Sequence, residues 1–220
     1  MATTHALVGV GLAVLVGTLF PGSAAGTSLV PVAAAALGGL FPDFDLYAGH
    51  RRTLHFPVYF NVAAVVAAIV AAVAAVVAPG GAVVAVSAAL FLAGAGVHSA
   101  MDAAGGGLEL RPWRGESDRA VYSHHHDRWI RPRRWVRYDG APEDLLVAVT
   151  VAAPVAYAVG GAVETGVLLA VGVSAVSVVV RKPMVAVTQA AVDALPAHLV
   201  DPLPAPFVPG FRCRRCRRLW

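Results

Sequence analysis

Charged residues are scarce in this sequence. Only 14% of its 220 residues are Asp, Glu, Lys or Arg, whereas 58% are hydrophobic, and the mean hydropathy is +0.69. A soluble domain typically carries about 25% charged residues, so this chain lacks the polar surface that a water-facing globule needs. Several apolar runs approach or exceed the ~18 residues of a membrane-spanning helix. The composition therefore excludes an ordinary soluble domain and predicts an integral membrane protein.

Lysine and cysteine are also rare. Lys182 is the single lysine beside sixteen arginines, and the two cysteines, Cys213 and Cys216, both lie in the last eight residues. This placement argues against a secreted scaffold held by disulfides. The Cys-x-x-Cys pair is half of a zinc knuckle and would need a partner chain or a distant histidine such as His198. A basic tail that contacts anionic lipid is the simpler interpretation.

Motifs for nucleotide or serine chemistry are missing. The sequence has no Gly-rich phosphate loop, no Gly-x-Ser-x-Gly elbow and no dinucleotide-binding fingerprint. A transporter is disfavoured as well, because no charged residue lies in the middle of an apolar run and Glu164 falls in a predicted connector.

Six apolar stretches are present instead. They cover residues 5–20, 28–41, 56–78, 82–101 and 145–180, the last being long enough for two helices with a break at 160–166. The first two are short against a hydrocarbon core of about 30 Å, so they either span it or form a re-entrant hairpin. We predict an all-α, polytopic integral membrane helix bundle of about six helices with one polar cytoplasmic insertion.

Basic residues mark one side of the membrane. The connectors at 21–27, 79–81 and 160–166 contain no Lys or Arg, whereas those after the second, fourth and sixth helices contain all of them. The positive-inside rule predicts a multi-pass protein of the cell (inner or plasma) membrane with both termini in the cytoplasm. A cleaved signal peptide is the alternative for the first helix, but no positive charge precedes its apolar run.

The polar segments divide the chain into two predicted parts. Residues 1–182 form a membrane-embedded domain that includes an Arg-rich insertion at 102–144, and residues 183–220 form a cytoplasmic tail. In the tail, residues 184–195 place apolar side chains on one face, which predicts an interfacial helix, and a Pro-rich stretch follows. The insertion and the tail offer a basic surface on which a protein, a nucleic acid or anionic lipid could dock.

Histidines and aspartates gather on the predicted cytoplasmic side, at one membrane depth. They are His5, Asp43, Asp45, His50, His55, His98 and Asp102. His98 and Asp102 are four residues apart and share a helical face. Asp43 and Asp45, in an extended segment, would point the same way. Imidazole and carboxylate ligands suit a divalent ion, zinc first and manganese or iron next, and this number of ligands is enough for one or two ions.

Two further groups lie near these residues in the sequence. Arg51 and Arg52 are most simply membrane anchors, although either could hold a phosphate through two parallel hydrogen bonds. In YSHHHDRW, one of His124, His125 and His126 is an additional candidate ligand, although such a run is often only a solvated loop.

Four motifs in this order resemble a known family. They are TTHALVGVGLA, LFPDFD, HRRTLHFP and HSAMD. The order resembles that of the membrane-bound metal-dependent hydrolases of the YdjM-like group, which are described as inner-membrane-associated and LexA-binding. The resemblance covers residues 1–102 by motif and the later helices only by hydropathy. That group is distantly similar to zinc-dependent phospholipase C, whose site also combines His, Asp and a helical His-x-x-x-acid pair.

The resemblance implies roles for these residues. The implied metal ligands are His5, Asp43, His50 or His55, His98 and Asp102, and Asp45 is implied as a ligand or the general base. The sequence departs from the family pattern at Phe41, where leucine is frequent, and at Phe56-Pro57, where a small hydroxyl residue is common.

The expected function is metal-assisted hydrolysis. A phosphoester, carried by a lipid or a lipid-linked group, is the expected substrate because the site lies at headgroup depth. Asp45 would accept a proton, and Arg51 or Arg52 would hold the anion. The alternative is a non-enzymatic membrane protein with a structural or sensory metal site and a basic docking surface.

Overall fold

The computed structural model describes residues 2–23, 25, 28–200 and 203. This part of the chain is mostly helical, as predicted. Its α-helices are α1 Ala2–Leu19, α2 Leu29–Leu40, α3 Tyr59–Val77, α4 Ala82–Ala104, α5 Pro142–Ala158, α6 Gly161–Asp193 and α7 Ala197–Val200. A short 3-10 helix covers Phe41–Asp45, and the strands β1 Val121–Ser123 and β2 Arg128–Ile130 form an antiparallel hairpin.

Four of these helices are long and apolar enough to cross a membrane, namely α1, α3, α4 and α6. The helix α2 has 12 residues and is about 18 Å long, which is shorter than the hydrocarbon core of about 30 Å. The helix α5 has 17 residues and contains Pro154. The six predicted apolar stretches are therefore all helical, and four of them reach spanning length.

The helix α6 differs from the sequence prediction at both ends. It begins at Gly161, so most of the predicted connector at 160–166 belongs to its first turns. Glu164 is tolerated there because a carboxylate is stabilised at a helix N-terminus, and the Thr165 hydroxyl donates to the Gly161 carbonyl over 3.0 Å. The helix then continues past Pro183 to Asp193, so residues 184–193 are helical as predicted but form one helix with the apolar stretch before them.

The core of the bundle surrounds α1, which contacts α2, α4, α5 and α6. Its side chains Leu7, Val10, Ala13 and Val14 are buried among apolar residues of those four helices. The helix α3, in contrast, packs mainly on α4 and has Ala71 as its one buried residue. A helix that is apolar all round and so exposed is suited to contact with lipid.

Glycines bring α2 into backbone contact with α1 and α4. A Cβ added at Gly39 would collide with the carbonyl oxygen of His5, and one added at Gly38 would collide with that of Phe91. Small residues at helix interfaces are what allow membrane helices to approach this closely. The consequence is that the start of α1 and the end of α4 meet at the end of α2.

The insertion between α4 and α5 caps this end of the bundle. The amide of Arg133 donates to the Ala103 carbonyl over 3.0 Å and that of Trp135 donates to Ala104 over 2.9 Å, which satisfies carbonyls left open at the end of α4. The amide of Tyr122 in β1 donates to the Arg51 carbonyl over 2.9 Å. The all-α prediction missed this hairpin because its strands are only three residues long.

Candidate metal centre

Three separate parts of the chain deliver histidines and aspartates to the capped end. His5 comes from the start of α1, His98 and Asp102 come from the end of α4, and Asp43 and His55 come from the connector between α2 and α3. Two overlapping groups have their ligand atoms within 4.8 Å of one another, His5 with Asp43 and His98, and His55 with His98 and Asp102. The predicted convergence of these five residues is confirmed, and we call them the His/Asp cluster.

Asp102 lies at the middle of the cluster. Its Oδ2 is 2.9 Å from His55 Nε2 and 3.6 Å from His98 Nε2, and its Oδ1 is 3.9 Å from His5 Nε2. The same His98 Nε2 is also 3.4 Å from Asp43 Oδ1. The i, i+4 spacing of His98 and Asp102 places both on one face of α4, as the sequence indicated.

These atoms lie close together, and even the 2.9 Å contact of His55 Nε2 with Asp102 Oδ2 is not aligned as a hydrogen bond. His55 Nε2, His98 Nε2 and Asp102 Oδ2 are all buried and have no hydrogen-bond partner in the described part of the chain. Each unsatisfied buried polar group costs about 1–3 kcal/mol. One cation placed between them would satisfy all three at once, so the donor set and its geometry fit a metal ion.

The far sides of the two central imidazoles are held by acceptors. His55 Nδ1 contacts Asp45 Oδ2 at 3.0 Å, and His98 Nδ1 contacts the Gly39 carbonyl at 2.6 Å. Because a carboxylate and a carbonyl can only accept, both Nδ1 atoms donate, and each neutral ring then offers the lone pair of Nε2 to the cluster. Metal-ligating histidines are held in this way in most protein sites.

Asp45 orients residues of the cluster and does not enter it. Its side chain is buried, its Oδ1 accepts from His50 Nδ1 at 2.9 Å, and its Oδ2 accepts from His55 and from the Leu54 amide at 3.0 Å. Burial would raise the pKa of this carboxyl, but its contacts with His50 and His55 outweigh that and lower the pKa well below its usual value. With both oxygens occupied, the predicted role of general base does not fit these contacts.

The relation predicted between Asp43 and Asp45 was wrong. The segment Phe41–Asp45 is a 3-10 helix, and not an extended strand. With about three residues per turn, side chains two positions apart point in different directions. Asp43 therefore faces His98, with its side chain 33% exposed, whereas Asp45 faces the buried His55.

Arg51 is buried beside the cluster in a left-handed backbone conformation, with φ of 61°. Its Nη1 donates to the Gly106 carbonyl over 2.9 Å, and its Nη2 lies 3.0 Å from Asp139 and 3.4 Å from Asp102 Oδ1. Burial would lower the pKa of the guanidinium, but Asp102 and Asp139 outweigh it and raise the pKa. Arg51 thus fixes one oxygen of Asp102 and leaves the other to the cluster.

Arg52 points away from the cluster. Its guanidinium lies over the Tyr122 ring, with 4.7 Å to the centroid, and its carbonyl is 2.6 Å from His124 Nε2. Arg51 and Arg52, which the sequence left as alternatives for holding an anion, therefore have different surroundings, one beside the cluster and the other against Tyr122.

The remaining predicted ligands lie outside the cluster. His50 contacts Asp45, and the ring of His124 packs on Phe56, with the centroids 4.5 Å apart. His125 and His126 are exposed on the hairpin turn. Cys213 and Cys216, with most of the predicted Pro-rich tail, lie outside the described residues.

The cluster favours a positive charge at its centre. Burial would lower the pKa of His55, but the carboxylates of Asp102 and Asp45 outweigh it and raise that pKa. The charged form of Asp43 is favoured as well. Burial would raise the pKa of its carboxyl, but its contact with His98 outweighs burial and lowers that pKa. Either a proton or a divalent cation can supply the charge that these carboxylates require.

Two contributors were not foreseen from the sequence. The Gly39 carbonyl orients His98, and Asp139 pairs with Arg51. The Gly-Gly pair at the end of α2 was a usable signal for close packing, whereas nothing in the sequence connects Asp139 with Arg51, which lies 88 positions earlier. Comparison of the chain with protein-family models, with curated proteins and with solved structures gives no match.

Proposed function

We propose that this protein is a membrane-bound, metal-dependent hydrolase whose His/Asp cluster holds a divalent cation and acts on a phosphoester. The observation that carries the proposal is the set of buried atoms His55 Nε2, His98 Nε2 and Asp102 Oδ2, which lie together and have no hydrogen bond in the described residues. The resemblance to the YdjM-like hydrolases supports the same conclusion through the motifs that supply these residues.

The contacts favour one ion, and not two. Both ligand groups use His98, and its Nδ1 is occupied by the Gly39 carbonyl, so only Nε2 can bind a metal. Three imidazoles beside two carboxylates favour zinc, with iron or manganese as the next choices. When bound, the ion would supply Lewis-acid polarisation of a phosphoryl oxygen and activation of water.

The protein residues would divide the remaining tasks among them. Asp45 and the Gly39 carbonyl orient the two central imidazoles, and Arg51 orients Asp102. Asp43 is the most exposed member of the cluster, so we place the entry for water and substrate on its side. Phe44 and Tyr47, whose side chains are 72% and 80% exposed, flank this entry and suit the membrane interface.

The substrate class follows from location. The cluster lies at one end of α1 and α4, which are long and apolar enough to span a membrane, and the positive-inside rule favours the cytoplasm for that end. A phosphoester at headgroup depth, in a lipid or a lipid-linked molecule, would reach it directly. Multi-pass insertion with both termini in the cytoplasm is part of this proposal.

A structural or sensory metal site without turnover is the second candidate. The specific observation in its favour is the burial of His55, His98 and Asp102, which are at most 2% exposed. A structural site is closed by protein ligands, whereas a catalytic site keeps a position for water.

The test is turnover by the zinc-loaded protein in lipid nanodiscs, with a panel of phospholipids and lipid-linked phosphates. We expect phosphate or phosphoester release that is lost in His98→Ala with Asp102→Ala and kept in Lys182→Gln, which changes a cation away from the cluster. A protein that retains its metal and turns over none of the panel would contradict the hydrolase proposal and support the structural one.

A further inference from the structure

A separate polar cavity of about 180 Å³ lies behind the metal centre. It is lined by the connector after α2, by the segment that follows α4 and by one side chain from within α6, and its basic side chains are His50, Arg51 and Arg181. Its volume is below the roughly 300–1,000 Å³ of pockets for drug-sized molecules. It therefore suits a small ligand.

The acidic groups of this cavity are already engaged. The two carboxylate oxygens of Glu109 accept from the amides of Glu116 and Ser117, each over 3.2 Å. Asp139 Oδ2 accepts from Arg51 Nη2 over 3.0 Å. Asp139 is thus paired with a cation, whereas Glu109 keeps its negative charge but has both oxygens occupied by amide donors.

The basic groups offer positive charge or unused donors. Arg51 has a side chain only 5% exposed, its Nη1 and Nη2 are engaged by Gly106 and Asp139, and its Nε is buried, so it contributes its positive charge to the cavity wall more than a free donor. Arg181 donates from Nε to the Asp139 carbonyl over 3.1 Å and has no carboxylate within 4.0 Å in the described part of the chain. His50 uses Nδ1 on Asp45 and keeps Nε2 available.

The cavity and the metal centre share one wall. Arg51 lines the cavity and also lies 3.4 Å from Asp102 in the His/Asp cluster. Arg51 has a left-handed backbone, which is uncommon for a residue other than glycine, and its side chain borders both sites. A ligand in the cavity would therefore sit beside the metal centre and not in it.

We propose that this cavity is an anion site that binds a phosphate group through Arg181, Arg51 and His50. Arginine is the side chain best suited to phosphate, because its planar guanidinium donates several hydrogen bonds in a fixed geometry. The phosphate is that of a lipid headgroup or of a small soluble phosphate, which share this chemistry. The proposal does not depend on a bound metal or on hydrolysis.

The test measures phosphate binding to the full-length protein in detergent and in the presence of EDTA, so a failure of the hydrolase proposal leaves it intact. Isothermal titration calorimetry with inorganic phosphate and with glycerol 3-phosphate tests the soluble source. Native mass spectrometry with added phosphatidic acid tests the lipid source. We expect Arg181→Gln to weaken binding at least about tenfold, in the range for loss of one charged hydrogen bond, and Arg181→Lys to weaken it less.

Lys182→Gln is the matched control, because Lys182 is the next residue of α6 and its ammonium lies over Trp113 and Tyr138. It should bind phosphate as the wild type does. Leu46→Phe, which narrows the cavity without removing a charge, is the second variant if Arg181→Gln folds poorly, and it should also weaken binding. Wild type that binds none of the three probes, or variants of Arg181 and Leu46 that bind as well as wild type, would overturn the proposal.

Discussion

Two sets of three histidines in this protein differ in whether the fold brings them together with other potential metal ligands. His5, His55 and His98 are up to 93 positions apart in the sequence, and they meet in one buried cluster. His124, His125 and His126 are consecutive, and none of them belongs to a group of three potential ligands in the described residues. The difference is that His55 and His98 have partners that fix their rings, whereas the turn leaves His125 and His126 exposed.

The comparison shows that the density of potential ligands in a sequence is a poor guide to which of them converge in the fold. What distinguishes the cluster is a second layer of contacts, in which Asp45, the Gly39 carbonyl and Arg51 each hold one ligand by the atom that faces away from the centre. Such outer contacts set the tautomer and orientation of the ligands. In the hairpin, His124 contacts the Arg52 carbonyl and His126 contacts the Ser123 hydroxyl, so these contacts hold the turn and orient no cluster residue.

The largest effect is expected on folding stability, from a comparison of Arg51, which contacts the cluster, with Arg52, which contacts the hairpin. Arg51→Gln leaves Asp102 buried without its cation, so we expect a loss of about 3–5 kcal/mol of folding stability. Arg52→Gln removes an arginine–tyrosine contact worth about 0.5–1 kcal/mol. Thermal unfolding in detergent measures both, and zinc should restore part of the stability of Arg51→Gln because a bound cation neutralises Asp102. Equal destabilisation by the two variants would contradict the assigned positions.

The next effect concerns a histidine from each region. His55→Ala removes a ligand from the centre of the cluster, and we expect metal affinity to fall more than about 100-fold, which exceeds the effect of losing an outer contact. His124→Ala loses only its contact with the Arg52 carbonyl, so we expect unchanged affinity and about 1 kcal/mol lower stability. Competition with a zinc-binding dye measures both affinities. Similar losses in the two variants would place the metal elsewhere.

A smaller effect is expected when an outer contact is weakened without removing a ligand. Asp45→Asn keeps the shape of the side chain but weakens its hold on His55, and should lower metal affinity by about 10- to 100-fold with the stoichiometry retained. The matched change is His50→Ala, which removes a partner of Asp45 and should have a weaker effect. If Asp45→Asn abolished binding altogether, Asp45 would be a ligand itself.

The smallest effect is expected in the hairpin turn. The double change His125→Ala with His126→Ala alters exposed side chains that contact none of the cluster, and should lower stability by no more than about 1 kcal/mol, the scale of the one hydrogen bond that His126 shares with Ser123. Metal content per chain should stay the same. A loss of metal in this variant, in protein purified without a histidine tag, would show that the run of histidines binds an ion after all.

Much of this arrangement could be predicted because it depends on local rules. The helical spacing of His98 and Asp102 fixes their common face, and the apolar runs indicate where the helices lie. The direction of Asp43 relative to Asp45 could not be predicted, because it depends on whether five residues form a strand or a 3-10 helix. The choice between Arg51 and Arg52 depends on one backbone angle and on a carboxylate 88 positions away.

The end of α6 illustrates the same limit. The predicted division of the chain between residues 182 and 183 falls inside this helix, which continues through Pro183 for another ten residues. A proline removes one hydrogen bond and disturbs the preceding turn, but it does not end a helix whose neighbouring turns are otherwise stable. Sequence therefore located the ligands better than it located the ends of the elements that carry them.

The most direct test of the central claim is the metal content per chain of untagged, detergent-purified protein, measured by inductively coupled plasma mass spectrometry after loading with zinc and dialysis. The account predicts one equivalent in the wild type and none in His98→Ala with Asp102→Ala, with thermal unfolding showing that the variant is folded. No bound metal in the wild type after loading, or an unchanged metal content in the folded variant, would contradict it.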